Sequence, residues 1–152
     1  MRNAVFNLGI ITMVTALCGC SLLTDNKQAA VDLSTPETTV VSFTKAAACG
    51  DLETALACCL PGGLDYDDVR KCLATSPDDE FKRMLESIDL DAPMSVISKK
   101  KEEDKVVVVW RVTFKRDFRT MEGGGQTFKV GSTFDLDASL KKSEDQWLID
   151  GI

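Results

Sequence analysis

The chain has 152 residues, 44% of them hydrophobic, and its 24 acidic residues outnumber its 18 basic ones for a net charge of −6. This length suits one domain with a single core. The acidic balance argues against nucleic acid as a partner. The chain has no histidine, so the side chain that most often serves as a general base is absent.

Residues 1–19 have the layout of a secretory signal. Arg2 supplies a positive charge, and an apolar run from Ala4 to Ala16 follows it. The run is too short for a membrane span, which needs about 20 predominantly apolar residues. The alternatives are an ordinary cleaved signal and the buried first helix of a cytosolic domain.

The stretch Leu17-Cys18-Gly19-Cys20 resembles the lipobox of bacterial lipoproteins. In that family a cysteine that follows a small residue becomes the new N-terminus and receives a diacylglyceryl group on its sulfur. The resemblance implies cleavage between Gly19 and Cys20, acylation of Cys20, and attachment to a membrane through lipid chains. With Ser21 next in the chain, it implies a place in the cell envelope, at the outer membrane facing the periplasm if the organism is diderm.

Residues 20–34 are mostly small or polar, and we interpret them as an acylated tether. The folded domain is predicted over residues 35–152. Thr35 as an N-cap, Pro36 in the first turn and Gly50 as a stop predict the first helix. Asp51 is predicted to cap a short second helix that ends at Pro61-Gly62-Gly63.

Two further helices are predicted before the strands. Residues 67–73 support about two helical turns, and Ser76-Pro77-Asp78-Asp79 repeats the pattern of N-cap, proline and acid. The apolar residues after it recur at helical spacing: Phe81, Met84, Leu85 and Ile88. Tyr66 is interpreted as an amphipathic plug at the rim of the core, with a hydroxyl in a pocket as the alternative.

After Pro93 the apolar pattern changes from helical to alternating. Met94 and Val96 begin one strand, and the charged run Lys99 to Asp104 is predicted to form a solvated turn because its opposite charges cancel. Residues 105–116 then predict a long strand. Its core face holds Val106, Val108, Trp110, Val112 and Phe114, and its basic residues Arg111, Lys115 and Arg116 are either polar contacts or solvated positions.

The remaining residues predict a hairpin loop and two more strands. Gly123-Gly124-Gly125 lacks the context of a phosphate-binding loop and predicts a flexible hairpin. The stretch from Gln126 to Ala138 alternates, with Phe128, Val130, Phe134 and Leu136 on one side, and residues 146–152 close the sheet. Helices followed by strands predict an α+β domain with N-terminal helices packed on a curved antiparallel sheet of about four strands.

Four cysteines follow Cys20 in the chain: Cys49, Cys58, Cys59 and Cys72. Without C-x-x-C spacing they are a poor match for a zinc site. In an oxidising compartment disulfides are the default. Cys49 and the Cys58-Cys59 pair stand at opposite ends of the second helix, too far apart to bond, whereas an antiparallel third helix would return Cys72 to Cys49. We therefore predict a Cys49–Cys72 disulfide, with Cys58 and Cys59 as a strained vicinal pair or free thiols.

Three segments fall in an order that resembles the nuclear transport factor 2-like (cystatin-like) α+β cone: Pro36-Glu37, Gly50-Asp51-Leu52-Glu53-Thr54-Ala55 and Trp147-Leu148-Ile149-Asp150. The likeness covers residues 35–152. This fold includes isomerases, dehydratases and non-enzymatic binding modules, so it does not select a function. Enzymes of the fold commonly use a His-Asp pair or a tyrosine with acidic groups.

The absence of histidine therefore favours a non-enzymatic module that binds a small apolar ligand or an envelope protein, without a metal or cofactor. Tyr66 and Trp110 are the candidate pocket residues. A structural envelope component is one alternative, and a small isomerase-like or dehydratase-like enzyme is the other.

Overall fold

The computed structural model describes residues 31–75, 79–121 and 125–152. The proposed signal and acylation site therefore lie outside the described residues. Within the described ranges, four helices precede six strands. They are α1 Pro36–Ala48, α2 Leu52–Ala57, α3 Tyr66–Thr75, α4 Glu80–Glu86, β1 Ser95–Glu102, β2 Lys105–Thr113, β3 Phe118–Arg119, β4 Thr127–Phe128, β5 Thr133–Ser143 and β6 Gln146–Gly151. None of the described helices is long and apolar enough to cross a membrane.

Capping side chains set the starts of the helices. Thr35 Oγ1 accepts the amide hydrogen of Thr38 at 3.1 Å and caps α1, and Asp51 caps α2 by accepting the amide of Thr54. Both caps confirm the sequence prediction. For α4 the predicted start is displaced, because the cap is Asp79, whose Oδ1 accepts from the amide of Lys82. Residues 76–78 lie outside the described ranges.

The main sheet has four antiparallel strands in the order β1-β2-β5-β6. One face of β2 is buried at alternate positions: Val106, Val108, Trp110 and Val112. These residues join a single core with Phe43 of α1 and Leu85 of α4. The prediction of an α+β domain with helices on an antiparallel sheet of about four strands is confirmed.

The charged run Lys99 to Asp104 was predicted to be a turn, and that prediction is wrong. β1 continues through it, with Lys101 paired to Val106 and Glu102 paired to Lys105, so the turn is confined to residues 103 and 104. β1 is an edge strand whose residues are exposed up to Lys101. Lysine side chains are well suited to such an edge because they remain in water while the backbone bonds to one neighbour.

The opposite edge of the sheet is protected by the chain itself. The amide of Leu60 donates to the Ile149 carbonyl at 2.7 Å, and the amide of Ile149 donates to the Cys58 carbonyl at 2.9 Å. The segment after α2 thus extends β6 by a short parallel bridge. Within the described residues, no such bridge covers the outer edge of β1.

The alternating stretch from Gln126 to Ala138 is divided into two strands rather than one. Gly131 has a φ of +78°, a left-handed conformation that glycine adopts without strain, and the chain turns there. Val130 was predicted to face the core, but it is 63% exposed because it lies in this turn. β4 leaves the main sheet and pairs with β3 as a separate small hairpin.

The predicted Cys49–Cys72 disulfide is not formed, and the four described cysteines are free thiols. Cys49 is exposed at the end of α1, whereas Cys72 is half-buried beside the carboxylate of Asp79. The third helix thus places Cys72 beside the N-cap of α4 and does not bond it to Cys49 as the spacing argument assumed. Cys58 and Cys59 are buried, and their sulfurs lie 3.4 and 3.5 Å from the backbone carbonyl oxygens four residues earlier in the chain.

Candidate functional site

An open pocket of about 410 Å³ lies between α4, the end of β2 and the β3–β4 hairpin. Most of its lining is apolar: Phe81, Met84, Phe114, Phe118, Phe128 and Phe134. Its polar lining consists of Cys72, Asp79, Glu80, Thr120 and Gln126. Small-molecule sites in proteins commonly have volumes of about 300–1,000 Å³ and a mainly apolar lining with a few polar groups.

Four phenylalanines form one connected cluster in the pocket wall. The ring centroid of Phe114 lies 5.8, 5.4 and 6.4 Å from those of Phe118, Phe128 and Phe134. Phe128 and Phe134 meet edge to face at 5.3 Å. These separations are typical of attractive aromatic pairs. Phe114 and Phe118 are almost fully buried, while Phe128 and Phe134 keep part of their surface exposed.

Hydrogen bonds fix the β3–β4 hairpin that carries two of these rings. The Lys129 ammonium donates to Asp117 Oδ2 at 2.7 Å, and the Val130 amide donates to Asp117 Oδ1 at 3.0 Å. Both bonds lower the pKa of Asp117, the one from Lys129 most. At the other end of the hairpin, the amide of Met121 donates to Glu80 Oε2 at 2.7 Å. The hairpin is thereby tied to the first turn of α4.

The titratable groups of the lining are two carboxylates and one thiol. Burial is the main cause that raises the pKa of Cys72, and the neighbouring Asp79 carboxylate adds to it. A raised pKa keeps this sulfur in the protonated form, which is a poor nucleophile. Among the described residues no group of three or more cysteine, aspartate or glutamate side chains is arranged to hold a metal ion.

Neither sequence-predicted pocket residue lines this pocket. Trp110 is fully buried, and its indole Nε1 donates to Thr44 Oγ1 at 3.1 Å inside the core. Tyr66 is the first residue of α3 and packs partly buried against the core. Phe114, Phe128 and Phe134 were recognised as inward-facing strand residues, but nothing in the alternation showed that they would meet. The available sequence signal for the pocket was that phenylalanines are concentrated on both sides of the glycine run at residues 123–125.

The three basic residues near the end of β2 lie outside the pocket lining. Arg111 forms two hydrogen bonds with the carboxylate of Asp135 on β5, at 2.7 and 2.8 Å. That contact raises the pKa of Arg111 and lowers the pKa of Asp135. Arg116 Nε donates to Ser87 Oγ at 3.0 Å, and Lys115 is exposed. None of the three lines the pocket.

No protein-family model and no curated protein sequence match the chain. Similar solved structures do exist. A Campylobacter jejuni protein provisionally named an NTF2-like transpeptidase superimposes with a TM-score of 0.51 and 16% identity, over 76% of this chain and 97% of its own. The domain has an NTF2-like fold. At this identity the likeness concerns the fold alone.

Two further solved structures superimpose with lower TM-scores. An NTF-2-like protein of unknown function from Shewanella oneidensis MR-1 has 16% identity and a TM-score of 0.46, over 76% of this chain and 95% of its own. A SEC-C motif containing protein from Rhodopseudomonas palustris has 17% identity and a TM-score of 0.45, over 77% of this chain and 76% of its own.

Proposed function

We propose that the protein is a lipid-anchored, non-enzymatic binding module whose NTF2-like domain takes a small, largely apolar ligand. The observation that carries the proposal is the open pocket of about 410 Å³ lined by five phenylalanines. When a ligand covers a partly exposed aromatic lining, apolar surface is removed from water, and this lowers the free energy of the complex. Covering roughly 100 Å² of apolar lining would contribute about 2.5 kcal/mol before the entropic costs of binding.

The polar groups of the pocket support binding rather than catalysis. The thiol of Cys72 is held protonated, as its raised pKa indicates, and the chain has no histidine that could activate it. Asp79 and Glu80 each accept a hydrogen bond from a backbone amide, which gives them a structural task. The alternative of a purely structural envelope component leaves the exposed aromatic lining without a purpose.

Binding of a neutral apolar probe tests the pocket. We expect 1-adamantanol to shift the ¹³C-methyl resonance of Met84, which lines the pocket, in the lipid-anchored chain held in nanodiscs. Phe128→Ala should weaken this binding by about tenfold, since it removes a large contact surface. Met84→Leu identifies the resonance, and empty nanodiscs measure how much probe dissolves in lipid.

Val130→Ala is the matched control for Phe128→Ala. Val130 lies two residues away on the same segment but is 63% exposed and does not line the pocket. Its replacement should leave the affinity unchanged. Equal losses in the two variants, or a shift that never saturates, would refute the binding proposal.

The anchor has its own test, by mass spectrometry of the N-terminal peptide. We expect the mature chain to begin at acylated Cys20 and to stay with the membrane, because two or three acyl chains provide a stable hold. Cys20→Ser should abolish the lipid modification, whereas Cys18→Ser should retain it. A mature chain with an unmodified N-terminus, or with the lipid on Cys18, would contradict this assignment.

A further inference from the structure

We infer that the pocket selects a ligand with a positively charged end, an organic ammonium ion on an apolar body. This inference rests on the proposed function and specifies its ligand class. The lining combines five phenylalanines with the carboxylates of Asp79 and Glu80, and it includes no lysine or arginine among the described residues. Besides their structural hydrogen bonds, the two carboxylates place negative charge beside the rings, which favours a cationic ligand over a neutral one.

The aromatic part of the lining suits a cation. The faces of aromatic rings attract ammonium groups within about 6 Å of the ring centroid, and cages of several rings recognise alkylated ammonium groups. Phe114, Phe128 and Phe134 lie within 5.3 to 6.4 Å of one another. Phe128 and Phe134 pack edge to face and keep part of their surface exposed. One ligand that rests against this surface can therefore contact both rings.

The two carboxylates are held in place before any ligand arrives. Asp79 Oδ1 accepts from the Lys82 amide at 3.2 Å, and Glu80 Oε2 accepts from the Met121 amide at 2.7 Å. Neither carboxylate takes part in a salt bridge between described residues. Both are partly buried, so water screens their charge less than it would screen an exposed pair.

The basic residues of α4 do not cancel this charge within the lining. Lys82 borders a separate small cavity beside Leu73 and Gly50, and Arg83 is not among the lining residues. An anionic ligand such as a fatty acid would enter this pocket against two like charges. Its carboxylate would also lose water without gaining a cationic partner, which is costly. The pocket therefore distinguishes ligands by the sign of their charge.

Three probes with the same hydrocarbon cage test the charge preference. Adamantan-1-amine is cationic at pH 7, 1-adamantanol is neutral, and 1-adamantanecarboxylate is anionic. Titrations follow the Met84 methyl resonance of the lipid-anchored chain in nanodiscs of galactolipid, which carries no ammonium headgroup. We expect the amine to bind at least about tenfold more tightly than the alcohol, and the carboxylate to bind more weakly than the alcohol.

Two variants remove the charges and keep the hydrogen bonds. Asp79→Asn preserves an oxygen acceptor at a position where asparagine is an equally good N-cap, and Glu80→Gln preserves an acceptor for the Met121 amide. In the double variant the amine should lose its advantage over the alcohol. Glu86→Gln is the matched control, because it removes an acidic charge at the other end of α4, outside the lining.

The possible results separate this inference from the proposed function. If the alcohol binds and the amine binds no more tightly, the charge preference is wrong and the binding function stands. If the double variant keeps the full preference for the amine, the two carboxylates are not its source and the inference is overturned. If no probe gives a saturable shift, the binding function itself fails.

Discussion

Replacing Trp110 with alanine should lower the free energy of unfolding by about 3–5 kcal/mol, the usual range for removing a buried tryptophan. Trp110 is fully buried in β2, between Val96 on β1 and Leu136 on β5. Its removal leaves a cavity, and the two neighbouring strands are packed too closely to move and fill it. Urea denaturation followed by far-ultraviolet circular dichroism measures the loss.

Trp110→Phe separates the hydrogen bond of this residue from its volume. This variant keeps most of the packing but loses the bond from Nε1 to Thr44 Oγ1. The Thr44 hydroxyl still donates to the Val40 carbonyl at 2.7 Å, so we expect a loss of only about 1–2 kcal/mol. The assignment of Trp110 as the central core residue would be wrong if the alanine variant lost no more stability than the phenylalanine variant.

Alkaline pH should destabilise the protein through Cys58 and Cys59. Burial raises the pKa of Cys58 to about 11 and the pKa of Cys59 to about 12, from an ordinary value of 9.0, and the charge of Cys58 adds to the shift of Cys59. The unfolded chain therefore releases these protons at a lower pH than the folded chain does. Stability is full below pH 9 and falls as the pH rises toward the folded pKa values.

The size of this effect follows from the shift of Cys58 alone. One pKa unit corresponds to about 1.4 kcal/mol, so the wild type should lose about 2 kcal/mol through this thiol between pH 9 and pH 11. Urea denaturation across that range should show a steeper decline for the wild type than for the Cys58→Ala/Cys59→Ala double variant, because lysine and tyrosine titration is common to both.

Cys49→Ala is the control for the alkaline experiment. This substitution removes a thiol that is exposed at the end of α1. The stability of the variant should follow the wild-type curve as the pH rises. Parallel curves for the wild type and the Cys58→Ala/Cys59→Ala variant would show that these two thiols do not cause the loss of stability at alkaline pH.

Local chemistry explains which parts of the fold could be predicted from sequence. Thr35 and Asp51 cap helices through bonds to amides three residues away, so a short stretch of sequence contains the whole interaction. The strand β2 could be predicted equally well, because its core-facing residues recur at every second position. The lysine run does not distinguish a turn from a strand, since a solvated turn and an edge strand both keep lysine side chains in water.

The pocket could not be predicted because it depends on contacts between distant segments. Phe128 meets Phe114 only because the chain turns at Gly131 and β4 leaves the main sheet. The hairpin reaches α4 through the contact of Met121 with Glu80, which are 41 residues apart. Alternation identifies inward-facing rings, but it does not distinguish a filled interior from one with an opening.

The lysines of β1 limit how copies of this protein can meet. An edge strand with free backbone groups is a template for another strand, and two copies of β1 would align antiparallel. In a register centred on Lys100, Lys99, Lys100 and Lys101 of one copy would face the lysines of the other, and like charges placed opposite each other oppose pairing. Pairing of two copies in this register is therefore disfavoured at low ionic strength, and added salt would weaken that protection.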